Sequence, residues 1–146
     1  MKIYLDACCL NRLTDDQSQR RIREEAEAIE SIFSQARLGV IDLISSEALE
    51  EEARRIPSMD RRLAVEALLS LASSTVDVDE AVAQRARELS AAGYGLFDAL
   101  HLAAAESAGA DVLLSTDDGL IKRAARGDGD LRIPVRNPLS WSKEQG

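Results

Sequence analysis

Aromatic residues are scarce: two Phe, two Tyr and one Trp make up 3% of the 146 residues. That leaves no surface on which successive bases could stack, as RNA-recognition and oligonucleotide-binding sheets require. It also commits the core to Leu, Ile, Val and Ala. Histidine occurs once and cysteine twice, the latter as the adjacent pair Cys8-Cys9. Neighbouring cysteines rarely satisfy disulfide geometry, and one His without a C-x-x-C leaves too few ligands for a zinc site. No apolar run approaches the roughly 20 residues of a membrane helix, and the N-terminus lacks a secretory profile, so a cytoplasmic protein without a membrane role is expected. Positive charge is short as well. Eighteen Lys and Arg against 26 Asp and Glu leave a net charge of −8, the wrong sign for gripping nucleic acid by bulk electrostatics. Fifteen of the 18 basic residues are Arg, whose planar forks suit phosphate, although abundant Ala beside scarce Lys also fits a GC-rich gene.

What is present fits one soluble domain spanning residues 1–146, with 45% apolar and 30% charged residues. Ile3-Tyr4-Leu5 reads as a buried central strand. Residues 17–38 carry Ile22, Ala26, Ile29, Phe33 and Ala36 at helical spacing, closed by Gly39. Residues 40–44 read as a second strand, followed by a helix capped by Ser45 or Ser46 and stopped by Pro57. An amphipathic helix over 61–71 and a short strand over 75–78 come next. Asp79 caps a helix through about Ala92, and a further helix spans about 97–107. Residues 112–115 form a clean strand, 117–126 a helix, and 131–135 a last strand containing Pro134, which suits an edge. The tail from about Ser142 is expected to be disordered. Strands alternating with helices predict an α/β three-layer sandwich with a mostly parallel central sheet.

In open parallel sheets, ligands sit outside the carboxyl ends of the strands. Asp6 directly follows the first strand and Asp117 stands just past the strand at 112–115, so both carboxylates open onto one edge. Asp98 lies in the otherwise apolar stretch Gly95-Leu96-Phe97-Asp98-Ala99-Leu100-His101, where an unpaired acid is costly. Among Glu50, Glu51 and Glu52, the last is three residues after Leu49 and four before Ile56, nearest the apolar stripe. Carboxylates converging without a Lys repel one another. A hard cation such as Mg²⁺ or Mn²⁺ relieves that repulsion and can activate water against a phosphoryl centre.

The residues themselves resemble the PIN domain family. Met1-Lys2-Ile3-Tyr4-Leu5-Asp6-Ala7-Cys8 is similar to its opening strand and first Asp. Ile44 to Glu52 is similar to the segment with its Glu, Phe97 to Ala105 to its acidic helix, and Leu113-Leu114-Ser115-Thr116-Asp117-Asp118 to its late strand. The four motifs occur in order across essentially the whole chain. The resemblance implies a PIN-like fold and an endoribonuclease using Mg²⁺ or Mn²⁺, with Asp6, Glu52, Asp98 and Asp117 as catalytic and metal-holding carboxylates around one or two ions. It also implies a toxin of the VapC type, a protein antitoxin laid across the acidic cleft, and a homodimer through the early helices. Two departures stand out: position 8, often small and polar in the family, is Cys, and the Glu triplet leaves Glu51 competing with Glu52, the latter favoured because apolar Ala53 follows it.

Other residues carry weaker signals. His101, one turn after Asp98, could hold a phosphate, but such a His more often orients a neighbouring carboxylate. Asp118 reads as solvated. Cys8 and Cys9 read as packing residues, with no adjacent His to make a nucleophile. Arg20, Arg21, Arg23, Arg54, Arg55, Arg61 and Arg62 either line an RNA path or pair with acids such as Glu24, Glu25 and Glu27 on solvated faces. Trp141 reads as a lid over the sheet edge. The alternative to a nuclease is an inactive PIN-like scaffold or RNA-binding module, against which the intact acidic quartet speaks. A receiver or dehalogenase-like phosphatase fails on its residues, since Asp6-Ala7-Cys8 is no Asp-x-Asp and the late strand ends in Ser115-Thr116-Asp117 where a receiver needs its Lys.

Overall fold

A computed structural model describes residues 1–145. Strand β1 (Lys2–Leu5) lies at the centre of a five-stranded, all-parallel sheet. On one side it pairs with β2 (Asp42–Ser46), which pairs with β3 (Ser74–Val76). On the other side it pairs with β4 (Val112–Leu114), which pairs with β5 (Val135–Arg136). Ile3 faces Leu43 and Val112 in register, and Ile3, Tyr4, Leu113 and Leu114 are wholly buried. A strand covered on both faces must be apolar throughout, which is why Ile3-Tyr4-Leu5 shows no alternation.

The chain steps from β1 to β2 in one direction and from β3 back across to β4 in the other. The crevice where those directions diverge lies beyond the carboxyl ends of β1 and β4. Among the described residues, eight helices flank the sheet: α1 (Ala7–Arg12), α2 (Arg20–Arg37), α3 (Glu47–Arg54), α4 (Met59–Leu69), α5 (Glu80–Ala91), α6 (Leu96–Ser107), α7 (Asp118–Ala125) and α8 (Pro138–Gln145). The α/β architecture with its parallel sheet is as the sequence predicts. No described helix is long and apolar enough to cross a membrane.

Several boundaries differ for local reasons. The second strand begins at Asp42, not Val40, because the Val40 and Ile41 amides both bond the Gln35 carbonyl in closing α2. The last strand is only Val135–Arg136. Pro134 has no amide to give the ladder and contributes only its carbonyl, to Leu113 N. Two helices go unrecognised in the sequence. Helix α1 follows β1 with no loop, its start set by Asp6, whose carboxylate accepts from Cys9 N at 3.1 Å. Helix α8 runs through Ser142–Gln145, where a disordered tail is expected. Asn137 Oδ1 accepts from Leu139 N at 2.8 Å, and Pro138 opens the helix. Trp141 is therefore a buried residue of a helix that packs on α2, not a lid on the sheet edge.

Candidate metal centre

Each acid of the quartet is placed by a helix that starts just beyond a strand or a turn. Asp6 caps α1 and is 2% exposed. Asp117 caps α7, accepting from Gly119 N at 2.9 Å and Leu120 N at 3.3 Å. These are the first residues able to turn a side chain into the crevice beyond β1 and β4. Glu52 lies in α3, which Ser46 starts at the end of β2 by accepting from Leu49 N at 3.0 Å. Asp98 occupies the first turn of α6.

Electrostatics tie the four together. Burial pushes the Asp6 carboxyl up to about 6, against the pull of the Ser115 hydroxyl and the Cys9 amide, and Asp98 adds to the rise. Asp98 is raised by burial first, then by the charges of Asp117 and Glu52. The Cys8 thiol feels all four. Partial desolvation of its sulfur, followed by the fields of Asp6, Asp117, Asp98 and Glu52, pushes it up to about 12. Cys8 is thus a protonated thiol in the mouth of the crevice, while Cys9 is buried with its Sγ 3.3 Å from the Leu114 carbonyl. Neither has the depressed pKa of a nucleophilic cysteine.

Glu51 and Glu52 part company in the structure. Glu51 turns outward to Arg54 at 2.7 Å and Arg55 at 3.2 Å, whereas Glu52 Oε1 lies 2.6 Å from His101 Nε2. His101 is 3% exposed, and its Nδ1 lies 2.6 Å from the Tyr4 hydroxyl, itself 2.7 Å from Ser46 Oγ. Phe97 stacks on the imidazole at 6.2 Å between centroids, and Arg55 lies 5.4 Å from the Phe97 centroid. His101 therefore touches Glu52 on one side and Tyr4 on the other, with Ser46 behind Tyr4, consistent with orienting a carboxylate.

The remaining residues with weaker signals are mostly paired. Asp118 is not simply solvated: Arg21 grips it with two nitrogens at 2.7 and 2.9 Å. Arg20 pairs with Glu24, and Arg61 with Asp15 at 2.6 Å. Glu25 departs from the expected solvated face. It is 1% exposed and accepts from Arg12 at 3.0 Å, Arg21 at 3.2 Å and Asn137 at 2.6 Å, joining α1, α2 and the residue that caps α8. A groove lined by Cys8, Asn11, Arg12, Asp15, Arg61, Thr116 and Asp117 adjoins the acids.

A hard divalent cation fits this donor set in type. The ligands on offer are carboxylate oxygens, no Lys or Arg is bonded to Asp6, Glu52, Asp98 or Asp117 among the described residues, and their mutual repulsion is what such an ion relieves. Among the described residues no three His, Cys, Asp or Glu side chains already close on one point. The acids therefore do not form a finished cage among the described residues.

The family model for the PIN domain matches residues 3–127. The fold superposes on the crystal structure of VapBC2 from Rickettsia felis bound to a DNA fragment from its promoter, with a TM-score of 0.57 and 13% identity over 94% of this chain and 98% of that one. A protein from Pyrobaculum aerophilum aligns with a TM-score of 0.56 and 15% identity over 99% of this chain and 91% of that one. No curated protein sequence matches the chain. At such identities the two structures share a fold with this chain.

Proposed function

The chain belongs to the PIN domain family, and from that membership we propose that it is a cytoplasmic endoribonuclease dependent on Mg²⁺ or Mn²⁺. Asp6, Glu52, Asp98 and Asp117 are its metal-holding carboxylates. The observation that carries this reading is the field of the four acids beyond the carboxyl ends of β1 and β4, with no Lys or Arg bonded to them among the described residues. Nothing in a purely structural role would favour that arrangement, since like charges held close together repel. Bound there, a divalent cation supplies a water of lowered pKa and offsets charge on the phosphoryl oxygens. The chain does the rest. Asp6 and Asp117 are held by helix-terminal amides, Glu52 by His101, and the groove with Arg12 and Arg61 leads a phosphate backbone past Asp117.

The likeness in fold to VapBC2 from Rickettsia felis supports a narrower form of the proposal. The enzyme is a toxin of the VapC type, restrained by an antitoxin whose basic side chain reaches the acids, and it works as a homodimer. The test is cleavage of a mixed tRNA and rRNA pool with Mn²⁺, with and without EDTA. Cleavage that stops on chelation and returns with Mn²⁺ is expected, and cleavage that survives EDTA overturns the metal mechanism. A chain that neither cuts RNA nor binds Mn²⁺ at millimolar concentration is an inactive scaffold.

A further inference from the structure

The buried hydrogen bonds behind Glu52 run in one direction only. Leu49 N is a donor and points at Ser46 Oγ, 3.0 Å away, so the Ser46 hydroxyl accepts there and has one proton of its own to give. Its other neighbour is the Tyr4 hydroxyl at 2.7 Å. At the far end, the Glu52 carboxylate can only accept, so His101 Nε2 must carry the proton across the 2.6 Å contact. Between these ends lie the Tyr4 oxygen and His101 Nδ1, 2.6 Å apart.

One arrangement satisfies every atom. Leu49 N–H donates to Ser46, Ser46 to Tyr4, Tyr4 to Nδ1, and Nε2–H to Glu52. Were Nδ1 also protonated, Tyr4 would have to turn its proton to Ser46, leaving the Ser46 proton without an acceptor at a residue that is fully buried. The geometry points to Tyr4 and His101 as positioning residues. They form a proton-ordered strut in which Tyr4 donates to Nδ1 and Nε2 donates to Glu52, fixing the imidazole ring and anchoring Oε1 of Glu52.

The strut rests on the assignment of Glu52 to the metal centre, but its own geometry is independent of it. Tyr4 starts it from the central strand, Ser46 from the end of β2, and the Phe97 ring backs the imidazole. Both anchors lie in the central sheet and are fully buried. Carboxylates that bind metals are commonly fixed by such partners, whose loss costs about 10-fold to 100-fold in metal affinity or activity.

Because His101 is the sole histidine of the chain, its two imidazole nitrogens can be read without assignment by ¹⁵N correlation spectroscopy on the metal-free protein. Wild type is expected to show one protonated nitrogen, Nε2, and one bare nitrogen, Nδ1. Tyr4→Phe keeps the ring but removes the hydroxyl. It is expected to replace the single tautomer by an averaged pair of signals, to weaken Mn²⁺ binding by about 10-fold, and to lower kcat while leaving KM for RNA unchanged. A protonated Nδ1 in wild type overturns the strut without any variant being made. So does a Tyr4→Phe protein with an unchanged imidazole signature and unchanged Mn²⁺ affinity. A wild-type chain that shows the ordered tautomer but binds no Mn²⁺ upholds the strut and overturns the metal centre alone.

Discussion

Asp98 is raised by burial and by the charges of Asp117 and Glu52, with no hydrogen bond to offset them. Its carboxylate therefore costs the metal-free fold energy that an amide of the same shape does not. Metal-free Asp98→Asn is expected to melt at the wild-type temperature or a few degrees higher. Mn²⁺ should raise the melting temperature of wild type clearly and of the variant little, because a ligand stabilises only the state that binds it. RNA cleavage should fall by about 100-fold or more, the usual cost of misplacing a reacting group. A destabilised Asp98→Asn that still cuts RNA removes Asp98 from the centre. Asp6 extends the argument to pH. Its folded pKa of about 6 stands above its ordinary 3.8, so between those values the folded chain holds a proton that the unfolded chain has released. The contribution of Asp6 is thus favourable below about pH 4 and is lost as pH rises to 6. Without metal, the melting temperature of wild type should drop more from pH 5 to pH 7 than that of Asp6→Asn. With Mn²⁺ the sign reverses, since the ion competes with that proton, and the Mn²⁺-induced rise in melting temperature should be larger at pH 7 than at pH 5.

Helix starts carry the architecture from strand to site. Ser46 caps α3 and Asp79 caps α5 through the same kind of bond, 3.0 Å to Leu49 N and 2.9 Å to Val82 N. Only Ser46 is buried and tied to Tyr4 as well. Urea denaturation should show Ser46→Ala losing about 2 kcal/mol, from the cap plus an orphaned partner, against about 1 kcal/mol for Asp79→Ala. Asp79→Ala should cut RNA normally; equal losses for the two would mean that the Tyr4 bond contributes nothing. Elements with a long apolar period or a cap residue were legible in the sequence: β1, α2, α5 with Asp79, α6, β4 and α7 with Asp117 all lie within a residue or three of where the pattern puts them. The short α1 was not, because Ala7-Cys8-Cys9-Leu10 has no period to separate it from the strand before it. Asn137-Pro138 did announce α8, as an acceptor followed by a residue suited to a first helical turn, and went unread. The places of Asp6 and Asp117 were legible because each follows a strand and caps the next helix, whereas Glu52 and Asp98 lie within helices and rest on the motif resemblance. The direction of Glu25 was not, since burial of an acid depends on Arg12, 13 residues before it, and Asn137, 112 after it.

At the scale of the whole molecule, Glu25 fastens the helical layer, joining α1 and α2 to the start of α8. Removing one partner of a buried charged group leaves the others unpaired. Glu25→Ala should therefore cost about 3 kcal/mol, while Arg20→Ala, which breaks only the exposed pair with Glu24, should leave the urea midpoint unchanged. A midpoint equally insensitive to Glu25→Ala would show that the buried network is not a fastening. The sheet order has a consequence for synthesis. The central strand leaves the ribosome before the other strands of the sheet, yet its neighbour on one side is β4, and Tyr4 waits for Leu113. Residues 2–5 can pair with β2 early but remain an open edge until more than a hundred further residues have been translated. The acid from beyond β4 arrives last of the four. A ribosome that stalls before the codon for Asp117 thus releases a chain lacking one of the four proposed metal-holding carboxylates, so the proposed centre stays incomplete until β4 and the turn beyond it have been made.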